Sequence, residues 1–189
     1  DGLAQLAFVP RNTLGVTVVN DWACLGQRTT SSGTVLVENL RVEPFNIIPS
    51  WKSYATPTLA GPFAQLTTAA IDAGIARAAL NDTVSFVNQF ARPWIDAGVE
   101  RAGDDPLTVY QIGALDSRLA AAEALLEQAG RVLDRYKHTL TEETVALASI
   151  AVARAKIFTT EAALEASTRL FELGGTRSTH PRYNFDRHW

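Results

Sequence analysis

From residue 59 onward the apolar residues fall into three long stretches of helical period, each roughly 30 residues, and this constrains the fold more than any other feature. Helices of that size are about 45 Å long. Joined by short connections, they pack side by side as an up-down bundle. The first runs from Leu59 to Ala91 and stops at Arg92-Pro93, because proline pushes the residue before it out of helical geometry. The second starts at Asp105-Pro106, an acidic cap with proline at the first helical position. Its apolar stripe is Ile112, Leu115, Leu119, Ala122, Leu126, Ala129 and Leu133, the 3-4 spacing of a bundle seam. The third starts at Thr141, with Glu142 and Glu143 at the positive end of the helix dipole, and ends at Leu173 before Gly174-Gly175. Val145, Ala148, Val152 and Ala155 form its seam, with Ile150, Ile157, Leu164 and Phe171 beside it. Three such helices still need a fourth, downstream or lost, or a partner subunit, to cover both apolar flanks.

Upstream the pattern is different. Residues 1–48 read as β structure: Leu6 to Val9, Gly15 to Val19, and Gly33 to Val42 with a bend at Glu38-Asn39. The polar run from Gln27 to Gly33 reads as a loop. Residues 49–58, with Pro49 and Pro57, read as a connector, and residues 59–189 as the helical domain. The expected class is therefore mainly α with a partial β segment. Three or four strands cannot close a sheet, so the remaining strands are expected upstream. The chain does not begin with Met and contains none, and it is expected to be a piece of a longer protein.

Apolar residues are 47% and charged residues 20% of the 189, enough to build a core and too apolar for a disordered chain. A net charge of −3, with the 17 basic residues scattered among acids, excludes a general nucleic-acid binder. Cys24 alone allows no internal disulfide and is compatible with a reducing cytosol, so a cytoplasmic location is expected. No apolar run reaches the length of a membrane span, and Asp1-Gly2-Leu3-Ala4 carries no signal-peptide pattern.

Three segments could carry chemistry. Gly174-Gly175-Thr176-Arg177-Ser178-Thr179 follows a helix end; its glycines permit a sharp turn, and Arg177 with two hydroxyls suits a phosphate. The same pattern suits an ordinary helix stop with a solvated arginine. Phe90-Ala91-Arg92-Pro93-Trp94 places an arginine where it binds an anion or simply faces the helix dipole. The tail from His180 to Trp189 is rich in aromatic and ionisable groups; His180 and His188 lack the spacing of a zinc site, and Asp186 with Arg187 reads as a structural ion pair. Asp104-Asp105 and Glu142-Glu143 read as helix starts, not general acids. No G-x-S-x-G, Walker or G-x-G-x-x-G motif is present.

Taken together, Asp21 to Thr34 with the strand from Val35 to Val42 resembles the end of the middle β-domain of acyl-CoA dehydrogenases, and the alanine-rich helices resemble their C-terminal bundle. Within that superfamily Ala91-Arg92-Pro93-Trp94, Asp104 to Thr108 and Gly175 to Trp189 resemble the sulfur-acquisition oxidoreductases and dibenzothiophene or sulfone monooxygenases. The resemblance covers essentially the whole chain. It implies reduced FMN delivered by a separate flavin reductase, oxygenation of a small organosulfur substrate, and a homotetramer. It also implies phosphate contacts at Arg92 and Arg177, with Ser178 a weaker candidate, and a cofactor-holding place for Gly174 and Gly175. FAD and an acyl-CoA dehydrogenase activity are the alternative, and an assembly domain inactive by itself is a third reading. A dehydrogenase places a catalytic glutamate early in the first helix or downstream of Trp189; Pro62-Phe63-Ala64-Gln65 holds none. The displaced Arg92-Pro93-Trp94 likewise favours the monooxygenase branch.

Overall fold

A computed structural model describes residues 2–189, apart from the side chain of Arg28. Asp1, the first residue of the opening segment read above, lies outside the described residues. The chain divides into two units, Asp1–Thr58 and Leu59–Trp189.

Among its described residues the first unit has four short strands. β1 (Leu6–Ala7) pairs antiparallel with β4 (Ile47–Ile48), and β2 (Val16–Val18) with β3 (Val35–Val37). The strand expected over Gly33 to Val42 thus shortens to three residues, because Asn39 adopts a left-handed φ of 50° and turns the chain. Asp21 fastens the intervening loop, accepting hydrogen bonds from the Thr34 amide at 2.8 Å and the Thr34 hydroxyl at 2.6 Å. The expected connector is not extended: Ser50–Tyr54 forms a 3-10 helix tied to the Ala4 carbonyl by the Trp51 amide and the Ser50 hydroxyl. No described residue of this unit is fully buried, and the apolar side chains of β3 are all about half exposed.

The second unit is a three-helix bundle of α1 (Ala60–Gln89), α2 (Pro106–Tyr136) and α3 (Glu142–Gly174). Asp105 caps α2 by accepting from the amides of Leu107 and Thr108. Thr141 and Thr144 exchange side-chain and backbone hydrogen bonds to cap α3. α1 ends two residues earlier than the proline predicts, with the amides of Phe90 and Ala91 both closing on the Phe86 carbonyl.

Alanine sets the helix spacing. Ala69, Ala76, Ala79, Ala122, Ala129, Ala148 and Ala155 are completely buried along the contact lines, so the backbones approach closely. Leu80, Leu115, Leu119, Val152 and Leu170 fill the space between them. Arg77 of α1 reaches α2 through two bonds to Glu123 and one to Asp116, Arg118 ties α2 to Glu165 of α3, and Asp72 of α1 accepts from Thr160 of α3 at 2.6 Å. α1 and α3 therefore run parallel, with α2 antiparallel to both. Of the expected seam of α2, Ile112 and Leu126 are half-buried and the other five residues buried. Ile150, Ile157 and Leu164, seven residues apart, stand instead on the exposed side of α3. Among the described residues no helix is long and apolar enough to cross a membrane.

The Thr108 side chain holds the Asp105 carboxyl below the usual range; desolvation opposes it, and the Leu107 and Thr108 amides add to the lowering. A depressed folded-state pKa means that the cap contributes above the unfolded-state value and is lost as pH falls through the folded one. Asp105→Ala is expected to lower the melting temperature most at neutral pH, with the gap to the parent closing in acid, as followed by circular dichroism.

Candidate functional site

Parallel α1 and α3 finish at the same end of the bundle, and the loops that follow them meet there. α3 ends at Gly174, which is buried because nothing larger fits: a Cβ on it would lie 2.7 Å from the Ser178 Cβ and 3.1 Å from the Phe86 ring. Gly175 has φ 64° and ψ −169°, backbone open to glycine and strained for other residues. The chain then coils into 3-10 turns at Thr176–Thr179, Pro181–Tyr183 and Phe185–His188. Ser178 is 1% exposed, and its hydroxyl donates to the Gly175 carbonyl at 2.6 Å. Its proton is thereby used inside the loop, where it holds the turn shut.

The tail packs by its aromatic rings. Phe86 meets the edges of Tyr183 at 4.9 Å and Phe185 at 5.3 Å, and Tyr183 stacks on Phe185 at 5.6 Å. The last turn is fastened to α1 by Asp82, which binds both Arg187 and the Nε2 of buried His188, the latter at 2.8 Å. Ser167 of α3 donates to the His188 carbonyl at 3.0 Å. Arg187 thus finds a carboxylate in Asp82 of α1. That partner lies 105 residues away, and no local signal could join the two.

This packing brings the two arginines together. A cleft of about 440 Å³ is lined by Phe90, Arg92, Glu172, Leu173, Gly174, Gly175, Thr176 and Arg177. Both arginines are exposed, and among the described residues neither is in an ion pair, whereas Glu172 is already bound by Arg169. The Arg177 guanidinium lies 5.1 Å from the centre of the Phe90 ring. The cleft therefore presents two cations whose charge is not neutralised by the protein, a setting for an anion with several acceptor oxygens. Ser178 is not on its surface. Sequence reasoning missed the part of Phe90 and Tyr183; their signal was an aromatic residue beside each candidate loop, which is too common to single out.

A second cleft of about 520 Å³ opens between the start of α1 and the first half of α3, lined by Gly61, Pro62, Gln65, Ser149, Val152, Ala153, Lys156 and Ile157. Its surface is mostly apolar and holds no carboxylate. Lys156 pairs with Asp72 at 3.6 Å. Among the described residues no three His, Cys, Asp or Glu side chains gather to hold a metal ion.

Residues 66–189 match the family described as acyl-CoA dehydrogenase, C-terminal domain. The chain is 34% identical to a dibenzothiophene monooxygenase of Mycolicibacterium goodii, and the match covers all of this chain and 48% of that protein. It is 32% identical to a probable FMNH2-dependent monooxygenase, SfnC, of Pseudomonas putida, covering all of this chain and 49% of that one. The FMN-bound crystal structure of TdsC from Paenibacillus sp. A11-2 superposes with a TM-score of 0.91 at 31% identity, over all of this chain and 50% of that chain. The chain thus spans about half the length of the curated relatives it matches.

The loop geometry makes two substitutions informative. Gly174→Ala is expected to cost about 1–3 kcal/mol by overpacking against Phe86 and Ser178. Gly175→Ala meets open space but strained backbone, also about 1–3 kcal/mol. Urea unfolding measures both.

Proposed function

The chain belongs to the acyl-CoA dehydrogenase C-terminal-domain family, and on that premise we propose that it is the C-terminal half of a two-component, reduced-flavin-dependent monooxygenase acting on small organosulfur compounds. The observation that carries this reading is the meeting of Arg92 and Arg177 across one cleft beside Gly174 and Gly175. A phosphate monoester fits that donor set: two exposed guanidinium groups in no ion pair among the described residues, with Glu172 of the cleft taken up by Arg169 and open space at Gly175. FMN ends in such a group, and relatives named as an FMNH2-dependent monooxygenase and crystallised with FMN favour it over FAD. Bound reduced flavin would supply the electrons for activating oxygen, with a flavin reductase as partner.

The residues of this chain have a narrower task. Arg92 and Arg177 bind and orient the cofactor's phosphate. The cleft at Gly61, Gln65 and Val152 offers a mostly apolar wall and carries no carboxylate for removing an α-proton. This supports oxygenation over acyl-CoA dehydrogenation. Residues 1–48 would complete their sheet with strands from an upstream part of a middle β-domain, since their apolar side chains find no core within the unit. Residues 49–58 join that domain to the helices of residues 59–189. On this reading the 189 residues alone are inactive, and the complete protein works in the cytoplasm.

A second reading, assembly, rests on Leu147, Ile150, Ile157, Phe158 and Leu164, each about half exposed on α3. Such a stripe is suited to burial against a second copy. The expected assembly is a tetramer by light scattering, and Ile157→Lys is expected to shift it toward smaller species.

The activity is tested on the complete protein with a flavin reductase, NADH, oxygen and dibenzothiophene or a sulfone. Oxygen-dependent oxygenation of the substrate is expected. Arg177→Ala is expected to weaken FMN binding by roughly 1.5–3 kcal/mol, about 10- to 150-fold. Flavin reduction by an acyl-CoA without oxygenation would overturn the reading.

A further inference from the structure

The anion cleft is built from two loops, and one side chain belongs to both. Phe90 caps the end of α1, two residues before Arg92, and forms part of the cleft wall. The Arg177 guanidinium, from the loop after α3, lies over its ring, 5.1 Å from the centre. Phe90 is itself well fastened. Its amide and that of Ala91 both donate to the Phe86 carbonyl, at 2.8 and 3.1 Å. Its half-buried ring is tilted against Phe86 at 5.3 Å and against Tyr183 at 5.7 Å. Phe86 in turn is buried, and Gly174 packs against it.

We propose that Phe90 is a positioning residue of the anion site: its ring carries the Arg177 guanidinium where, with Arg92, it meets a bound phosphate. This rests on the flavin-phosphate reading above. The negative face of an aromatic ring attracts a guanidinium without offering it a hydrogen-bond acceptor. The ring therefore takes up none of the N–H donors of Arg177 and leaves its positive charge whole. A carboxylate would hold an arginine as firmly but cancel its charge, as happens to Glu172 and Arg169 beside the same cleft.

An arginine side chain has several rotatable bonds, and ordering it when a ligand arrives costs affinity. A ring that orders it beforehand removes part of that cost. The same contact ties Arg177 to the loop that carries Arg92, so the two cations keep one spacing. Phe90 acts only through Arg177, and its effect is therefore confined to ligands that carry the phosphate. Riboflavin, which is FMN without that group, gives the matching control.

The test measures FMN and riboflavin affinity in the complete protein, for the parent, Phe90→Leu, Arg177→Ala and the double variant. Phe90→Leu keeps an apolar side chain but removes the ring. It is expected to bind FMN about three- to tenfold more weakly, with riboflavin affinity unchanged. In the Arg177→Ala background the same substitution is expected to add no further loss, because the group through which it acts is gone. Phe90→Tyr, which keeps the ring, is expected to bind FMN within about twofold of the parent. Parental FMN affinity in Phe90→Leu would overturn this inference alone. So would a loss shared equally by riboflavin, one that persists in full without Arg177, or one as large in Phe90→Tyr. Undiminished FMN binding in Arg177→Ala would instead overturn the phosphate reading. Should Phe90→Leu fail to fold, a ring-fluorinated phenylalanine at position 90 keeps the shape and weakens the negative face. FMN affinity is then expected to fall as well, and an unchanged value rejects the proposal.

Discussion

The close approach of α1 and α3 is the contact on which everything else depends. Small buried residues on both helices leave no room for larger side chains: Ala76 and Ala79 of α1 pack in one cluster with Ala162, Ala163 and Ala166 of α3. Asp72 lies beside Thr160 and Phe86 beside Gly174, so the two helices keep one register and end near each other. Gly174 then lies against Phe86, close enough that even a methyl group would be in the way. From that contact the two loops leave in adjoining directions, and Arg92 and Arg177 come to face one cleft. A bundle with bulkier seams would separate the loops and divide the site.

The tail does for the loop what the alanines do for the helices. A 3-10 coil of this kind has few internal hydrogen bonds and would fray alone. Here Asp82 binds its last turn through Arg187 and His188, Ser167 holds the His188 carbonyl, and four rings pack against one another. Fastening of this kind matters at an anion site, since exposed arginine side chains otherwise spend most of their time elsewhere. Ordering the loop in advance lets two exposed cations act as one site.

Much of the helical unit was legible in the residues themselves. The acidic cap at Asp105, the proline after it, Thr141 with its following acids and the glycine pair at 174–175 are local chemistry, and the helix ends lie within about two residues of where these place them. The β unit was less legible. The run from Gly33 to Val42 looks like one strand, but strand length depends on a partner, and only Val35 to Val37 has one. Likewise Ile150, Ile157 and Leu164 have the period of a buried stripe, and which of two apolar stripes turns inward is decided by the neighbours. At the site, Arg92 and Arg177 could be named from their flanking residues, whereas Tyr183 could not.

By itself, then, the sequence determined the class of the fold, the number and limits of the long helices, and the two loops that carry arginines, because caps, breakers and periodicity act over a few residues. Only the tertiary structure decided that α1 and α3 run parallel and end together, that Ser178 turns inward while Arg177 stays at the cleft, and that Arg187 answers to Asp82. These are contacts between residues far apart in the chain. Their geometry is set by how closely alanine-lined helices can approach, and no local pattern encodes that distance.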